Sequence, residues 1–163
     1  MKIIGVIPVR MGSSRFPGKP LFTIAGMPML EHVWHRANMY SFWDELFLAT
    51  CDQEIQEFAN LKNIPCIMTS DKHERALDRV AEAVGKSNVQ INDDDIVLNV
   101  QGDEPMMRPD MIAATVKPLI EDYQVNGVVL SMPIVEEEQF HDPNTLKIIH
   151  NLKGDILYTS RAP

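Results

Sequence analysis

Cysteine is scarce: 163 residues hold only Cys51 and Cys66. The two form no C-x-x-C pair, and two thiols are too few for a disulfide scaffold. No apolar run approaches the length needed to cross a bilayer. The N-terminal run is interrupted by Pro8 and closed by Arg10, too short and broken for a secretory signal. Positive charge is also in deficit, with 15 Lys and Arg against 23 Asp and Glu, a net charge of −8. That balance excludes a broad nucleic-acid or anionic-membrane surface, which needs a basic field. The expectation is a cytoplasmic protein with neither nucleic acid nor membrane as partner. Two nucleotide signatures are missing as well. There is no G-x-G-x-x-G, and Gly12 and Gly18 are separated by five residues with Pro20 after Lys19, which rules out G-x-x-x-x-G-K-[ST]. No Ser/His/Asp or Cys/His pattern stands out, and His32 and His35, although three apart, lack a third metal ligand in sequence.

What is present is concentrated near the start. The strand-like run Ile3 to Val9 opens into a loop that holds Arg10, Gly12, Ser13, Ser14, Arg15, Pro17, Gly18, Lys19 and Pro20. Glycine lets backbone N–H groups approach a ligand closely. Three cations in ten residues of an acidic chain point to a polyanion such as a nucleoside triphosphate. A plain turn is the competing reading of any Gly/Pro/Ser loop after a strand.

The rest alternates between strand and helix periods. Strands are expected at Ile3 to Val9, Glu45 to Thr50, Ile64 to Met68, Ile96 to Val100, Val128 to Pro133, Leu146 to His150 and Asp155 to Tyr158. Helices are expected with Pro28 as first residue, after a capping Asp52, from Ala76, and from Asp110 to Asp122, the last kinked or ended by Pro118. Asn92 to Asp95 reads as a polar turn. Repeated β-α-β units predict an α/β domain over 1–163, with a mainly parallel central sheet and helices on both faces. Ligands then bind beyond the carboxyl ends of the strands. Both unusual segments, the first loop and Gln101-Gly102-Asp103-Glu104-Pro105, lie there. A triphosphate brings magnesium, which takes one or two carboxylates with phosphate oxygens and water. Asp103 suits that role, with a cap for the following segment as its alternative.

The run Ile7 to Leu21 resembles the opening of the 3-deoxy-manno-octulosonate (Kdo) cytidylyltransferases, also called CMP-Kdo synthetases. Four more blocks match in order: Ala49-Thr50-Cys51-Asp52, where the family has Ala-Thr-Asp-Asp; Met68-Thr69-Ser70 with His73 and Asp78 to Glu82; Asn99 to Pro105; and Tyr158 to Pro163. The resemblance implies a Rossmann-like nucleotide-diphospho-sugar transferase fold that couples CTP to a Kdo-like sugar acid, releasing pyrophosphate. It implies that Arg10, Arg15 and Lys19 hold the triphosphate, with Arg10, Lys19 and Asp103 catalytic. Gly12 and Ser13 would offer donors, Asp103 would bind Mg2+, and Gln101 would touch both substrates. Arg161 and Arg79 would contact the sugar acid; for Arg161 a surface ion pair is the alternative. Homodimer contacts would lie in the part of the family sequence beyond the Ser-Arg-Ala-Pro segment. The chain departs from the pattern at Arg75-Ala76-Leu77, where the family has Ser-Gly-Thr, and in ending after that segment, as a fragment or shortened form would. The rival expectations are a sialic-acid cytidylyltransferase and a non-catalytic nucleotide-binding paralogue.

Overall fold

A computed structural model describes residues 1–12 and 16–163. In chain order its elements are β1 (Ile3–Pro8), a single 3-10 turn (Lys19–Leu21), β2 (Thr23–Ile24), β3 (Met27–Pro28), α1 (Met29–Asn38), β4 (Glu45–Thr50), α2 (Gln53–Leu61), β5 (Cys66–Met68) and α3 (Ala76–Lys86). Then follow β6 (Ile96–Asn99), α4 (Pro109–Glu121), α5 (Glu137–His141), β7 (Lys147–His150) and β8 (Ile156–Ser160). The chain forms two compact units, Met1–Val128 and Val129–Pro163.

The first unit is built on a four-stranded sheet in the order β5-β4-β1-β6. Every pairing in it is parallel. β1 is central and buried throughout, as its unbroken apolar run predicts. Alternate side chains serve opposite faces. Ile3 and Ile7 pack with Leu30 and Val33 of α1, Ile55 of α2 and Ile112 of α4. Ile4 and Val6 pack instead with Val80 and Ala83 of α3. Each such fully buried aliphatic side chain contributes about 1.5–3 kcal/mol. Helices therefore cover both faces, as expected.

Three local expectations are corrected. α4 runs through Pro118 instead of stopping there. A helix-interior proline costs about 3 kcal/mol. Ile112 and Val116, both almost fully buried, together repay about 3–6 kcal/mol. Val128 to Pro133 is not a strand. Its residues have strand propensity, but no neighbouring strand pairs with them, and propensity alone does not hold an extended segment. Pro28 precedes α1 and pairs with Thr23 in a two-stranded hairpin.

The second unit carries α5 and the antiparallel pair β7-β8, which forms a separate sheet. The connection between these strands, residues 151–155, is too short for a parallel crossover. The Lys147 side chain is buried and donates to the carbonyls of Asp142 at 2.7 Å and Arg161 at 2.8 Å. Among the described residues no helix is long and apolar enough to cross a membrane.

Candidate functional site

The parallel sheet sends β1, β4 and β6 out at one edge, side by side. β1 leads into Arg10 and the first loop, β4 into Cys51-Asp52, and β6 into Gln101-Gly102-Asp103. The first loop thus leaves from between the other two exits. It is tied to both.

On the β6 side, the Lys19 ammonium donates to the Asp103 carboxylate at 2.9 Å. Lys19 is partly exposed and Asp103 more so, at 35% and 56% of their side-chain surfaces. An ion pair this exposed is worth only about 0–1 kcal/mol. It therefore marks the neighbourhood of the two groups and is weak enough to open for a ligand. Gly102 sets the distance. It is buried, and a side chain there would collide with the Pro8 carbonyl oxygen and come within 3.3 Å of Val9 Cβ. Only glycine allows the Asp103 segment to lie this close to the end of β1.

On the β4 side, Asp52 occupies the N-cap position of α2 yet makes no side-chain cap. A cap of that kind is ordinarily worth about 0.5–2 kcal/mol. Its carboxylate instead accepts the Met11 backbone N–H at 2.7 Å. The Met11 carbonyl in turn accepts the Gly18 N–H at 3.1 Å. This closes the neck of the loop, with Gly18 in the left-handed region at φ 74. The Asp52 N–H is itself held by the Thr50 hydroxyl at 3.1 Å.

Arg10 and Gly12 are exposed at the loop, and Gln101 is exposed at the β6 exit. Ser13 and Arg15 lie outside the described residues. Arg79 is buried, at 3% exposure. Its guanidinium donates to the Thr69 hydroxyl and to Cys51 Sγ, the latter at 3.4 Å. Arg161 belongs to the second unit, where its guanidinium donates to the carbonyls of Asn144 at 3.0 Å and Pro143 at 3.3 Å. His32 bonds the Ile24 carbonyl, and His35 is exposed and faces Glu31. Cys51 and Cys66 are free thiols, and burial pushes the Cys66 thiol up to about 11. Among the described residues no three His, Cys, Asp or Glu side chains converge as a ready metal cage.

Sequence reasoning missed two features. One is the Asp52–Met11 bond, because a cap and a long-range anchor carry the same sequence signal. The other is the cluster that shapes the loop after β5. There Glu82 receives Lys86 at 2.6 Å, the Ser70 N–H at 2.9 Å and the His73 imidazole. The Lys86 hydrogen bond, then that of Ser70, then that of His73 lower the Glu82 carboxyl from 4.5 to about 2. Because the folded-state value is depressed, its stabilisation is present above pH 4.5 and is lost as pH falls toward 2. Glu82→Gln should therefore melt below the parent at pH 6, with the gap closing between pH 4.5 and 2. Melting curves across that range check it, and a gap that stays constant counts against the cluster.

Comparison with known proteins places this arrangement. Residues 4–163 match the family model for cytidylyltransferases. A 3-deoxy-manno-octulosonate cytidylyltransferase of Oleidesulfovibrio alaskensis is 42% identical over 158 residues, which are 97% of this chain and 62% of the relative. One from Pelobacter propionicus is 39% identical over 163 residues, covering 100% of this chain and 62% of the relative. The chain thus spans a little over three fifths of the length of these curated relatives. A solved CMP:2-keto-3-deoxy-manno-octonic acid synthetase in complex with CTP superimposes with a TM-score of 0.83 at 33% identity, over 99% of this chain and 65% of that one. The fold is that of the nucleotide-diphospho-sugar transferases. A cytidylyltransferase from Leptospira borgpetersenii, 21% identical with a TM-score of 0.62 over 75% of this chain, shares the fold. Taken with the two motif-bearing loops joined at one sheet edge, the match across residues 4–163 establishes that this chain belongs to the cytidylyltransferase family.

Proposed function

We propose that this chain forms the nucleotide half of a site that transfers CMP from CTP to a Kdo-like sugar acid. The observation that carries this reading is the 2.9 Å contact between Lys19 and Asp103. It joins a cationic loop to a carboxylate where β1 and β6 end together. The relatives' names and the CTP complex support the choice of nucleotide and sugar.

Arg10, Arg15 and Lys19 neutralise the triphosphate, and Gly12 and Ser13 present backbone and hydroxyl donors. Transfer at a phosphorus is mostly positioning and charge neutralisation. These residues hold the α-phosphate for attack by the sugar's anomeric hydroxyl, and the pyrophosphate formed stays paired with the cations until it leaves. Magnesium fits this donor set. One solvent-accessible carboxylate beside phosphate-binding cations is what the ion asks of a protein when phosphate oxygens and water complete its shell. Asp103 would hold it, and the ion would supply further charge neutralisation at the reacting phosphate. Gln101 stands at the same exit for contact with both substrates.

Two arginines take different parts. Arg79, buried beneath the β4 and β5 exits, supports Cys51 and Thr69, and through them the floor of the site. Arg161 offers a guanidinium for the sugar carboxylate, a pairing suited to its two-pronged geometry. A homodimer belongs to the same reading.

Lys19→Ala is expected to weaken CTP binding about ten- to hundredfold, since losing a hydrogen bond to a charged group costs about 1.5–3 kcal/mol. Calorimetric titration checks it, and unchanged affinity removes Lys19 from the phosphate site. The sugar is tested by following pyrophosphate release with Kdo and with sialic acid. Faster turnover of Kdo is expected, and a preference for sialic acid overturns the assignment.

A further inference from the structure

Asp52 is an awkward residue to find beside a site for a polyanion, because its charge repels the ligand. Nor does it serve the helix it begins, since its side chain makes no cap on α2. Its carboxylate reaches across 41 residues of sequence to the Met11 N–H at 2.7 Å. Met11 is the hinge of the first loop: its N–H goes to Asp52 and its carbonyl receives Gly18. One side chain therefore fixes both stems of the loop at the end of β4. Lys19, the residue after Gly18, is set opposite Asp103. Asp52 is in turn immobilised by the Thr50 hydroxyl on its own N–H, and Thr50 is fully buried.

We propose that Asp52 is a positioning residue of the nucleotide site, fixing the neck of the 11–18 loop so that Arg10 and Lys19 face the phosphates. This rests on the reading of that loop as the triphosphate site. The Met11 N–H is spent on the anchor, so it is not itself a donor to phosphate. The role is geometric and needs an acceptor oxygen, not a charge.

That distinction gives the test. Magnesium-CTP is titrated calorimetrically into the whole chain with the parent sequence, with Asp52→Ala and with Asp52→Asn. Asparagine keeps an acceptor for Met11 and drops the charge. Asp52→Ala is expected to weaken CTP about tenfold, the loss of one charge-assisted hydrogen bond, while Asp52→Asn stays within about threefold. Equal affinity in Asp52→Ala overturns the proposal. So does tighter binding in both variants, which would make Asp52 merely a repelling charge. A lowered melting temperature without a change in affinity reduces it to a helix-start residue. Hydrogen exchange at the Met11 amide gives a second readout that needs no ligand. The amide is expected to be protected in the parent and in Asp52→Asn and to exchange at least about tenfold faster in Asp52→Ala. An unprotected Met11 amide in the parent overturns the anchor. Failure of the parent to bind CTP, with Met11 protected, sinks the nucleotide reading and leaves the anchor standing.

Discussion

Asp103→Asn is expected to bind CTP more tightly than the parent without magnesium and more weakly with it. In the parent, Asp103 pairs with Lys19 at 2.9 Å. Without metal, that carboxylate both repels the triphosphate and occupies one of its cations. Removing the charge frees Lys19, so metal-free CTP should bind severalfold tighter, in keeping with an exposed pair worth up to about 1 kcal/mol. With magnesium the order inverts. In the parent Asp103 would hold the ion, which would add charge neutralisation at the phosphates, and the variant, which keeps only an amide, would hold it less well. Turnover with the sugar acid should fall by about 10²–10³-fold, the scale of losing one preorganised charge-stabilising group. Calorimetry with and without magnesium reads the crossing directly. A variant that keeps the full magnesium-dependent gain removes Asp103 from the metal site.

Gly102→Ala carries the second large effect, and its cost in stability needs no assumption about ligand. The added methyl group would strike the Pro8 carbonyl and crowd Val9 Cβ at 3.3 Å. Backbone cannot swing aside as a flexible side chain does. Either the sheet edge opens or the 101–105 segment moves outward. Overpacking of this kind costs about 1–3 kcal/mol, or roughly 2–12 °C in melting temperature for a chain this long. The Lys19–Asp103 approach should be lost with it. The variant is thus expected to bind magnesium-CTP more weakly even at temperatures where it is folded. A melting temperature and affinity equal to the parent's would show that the two exits are not held together by this contact.

Much of this was legible in the sequence, for identifiable reasons. The unbroken apolar run of β1 and the 3.6-residue stripes of α1, α3 and α4 need only side-chain period to be read. Parallel pairing follows from the helices between the strands. Both motif loops fall at strand ends because turn residues follow apolar runs directly. Long-range partnership was not legible. Asp52 before α2 has the signature of a cap, and only the fold brings Met11 within reach of it. Gly102 could be seen as a glycine, but its neighbour Pro8 is supplied by the pairing of β6 with β1. Arg79 was expected to face a substrate. Its helix turns it inward, where Thr69 and Cys51 receive it. The antiparallel course of β7 and β8 could have been read from the short connection between them.

The most direct test of the central claim is calorimetric titration of the purified chain with CTP and then ATP, each with and without magnesium. The account predicts that CTP binds at least about tenfold tighter than ATP, a difference of about 1.4 kcal/mol, and that magnesium strengthens it. Equal affinity for the two nucleotides, or binding of neither, would contradict it.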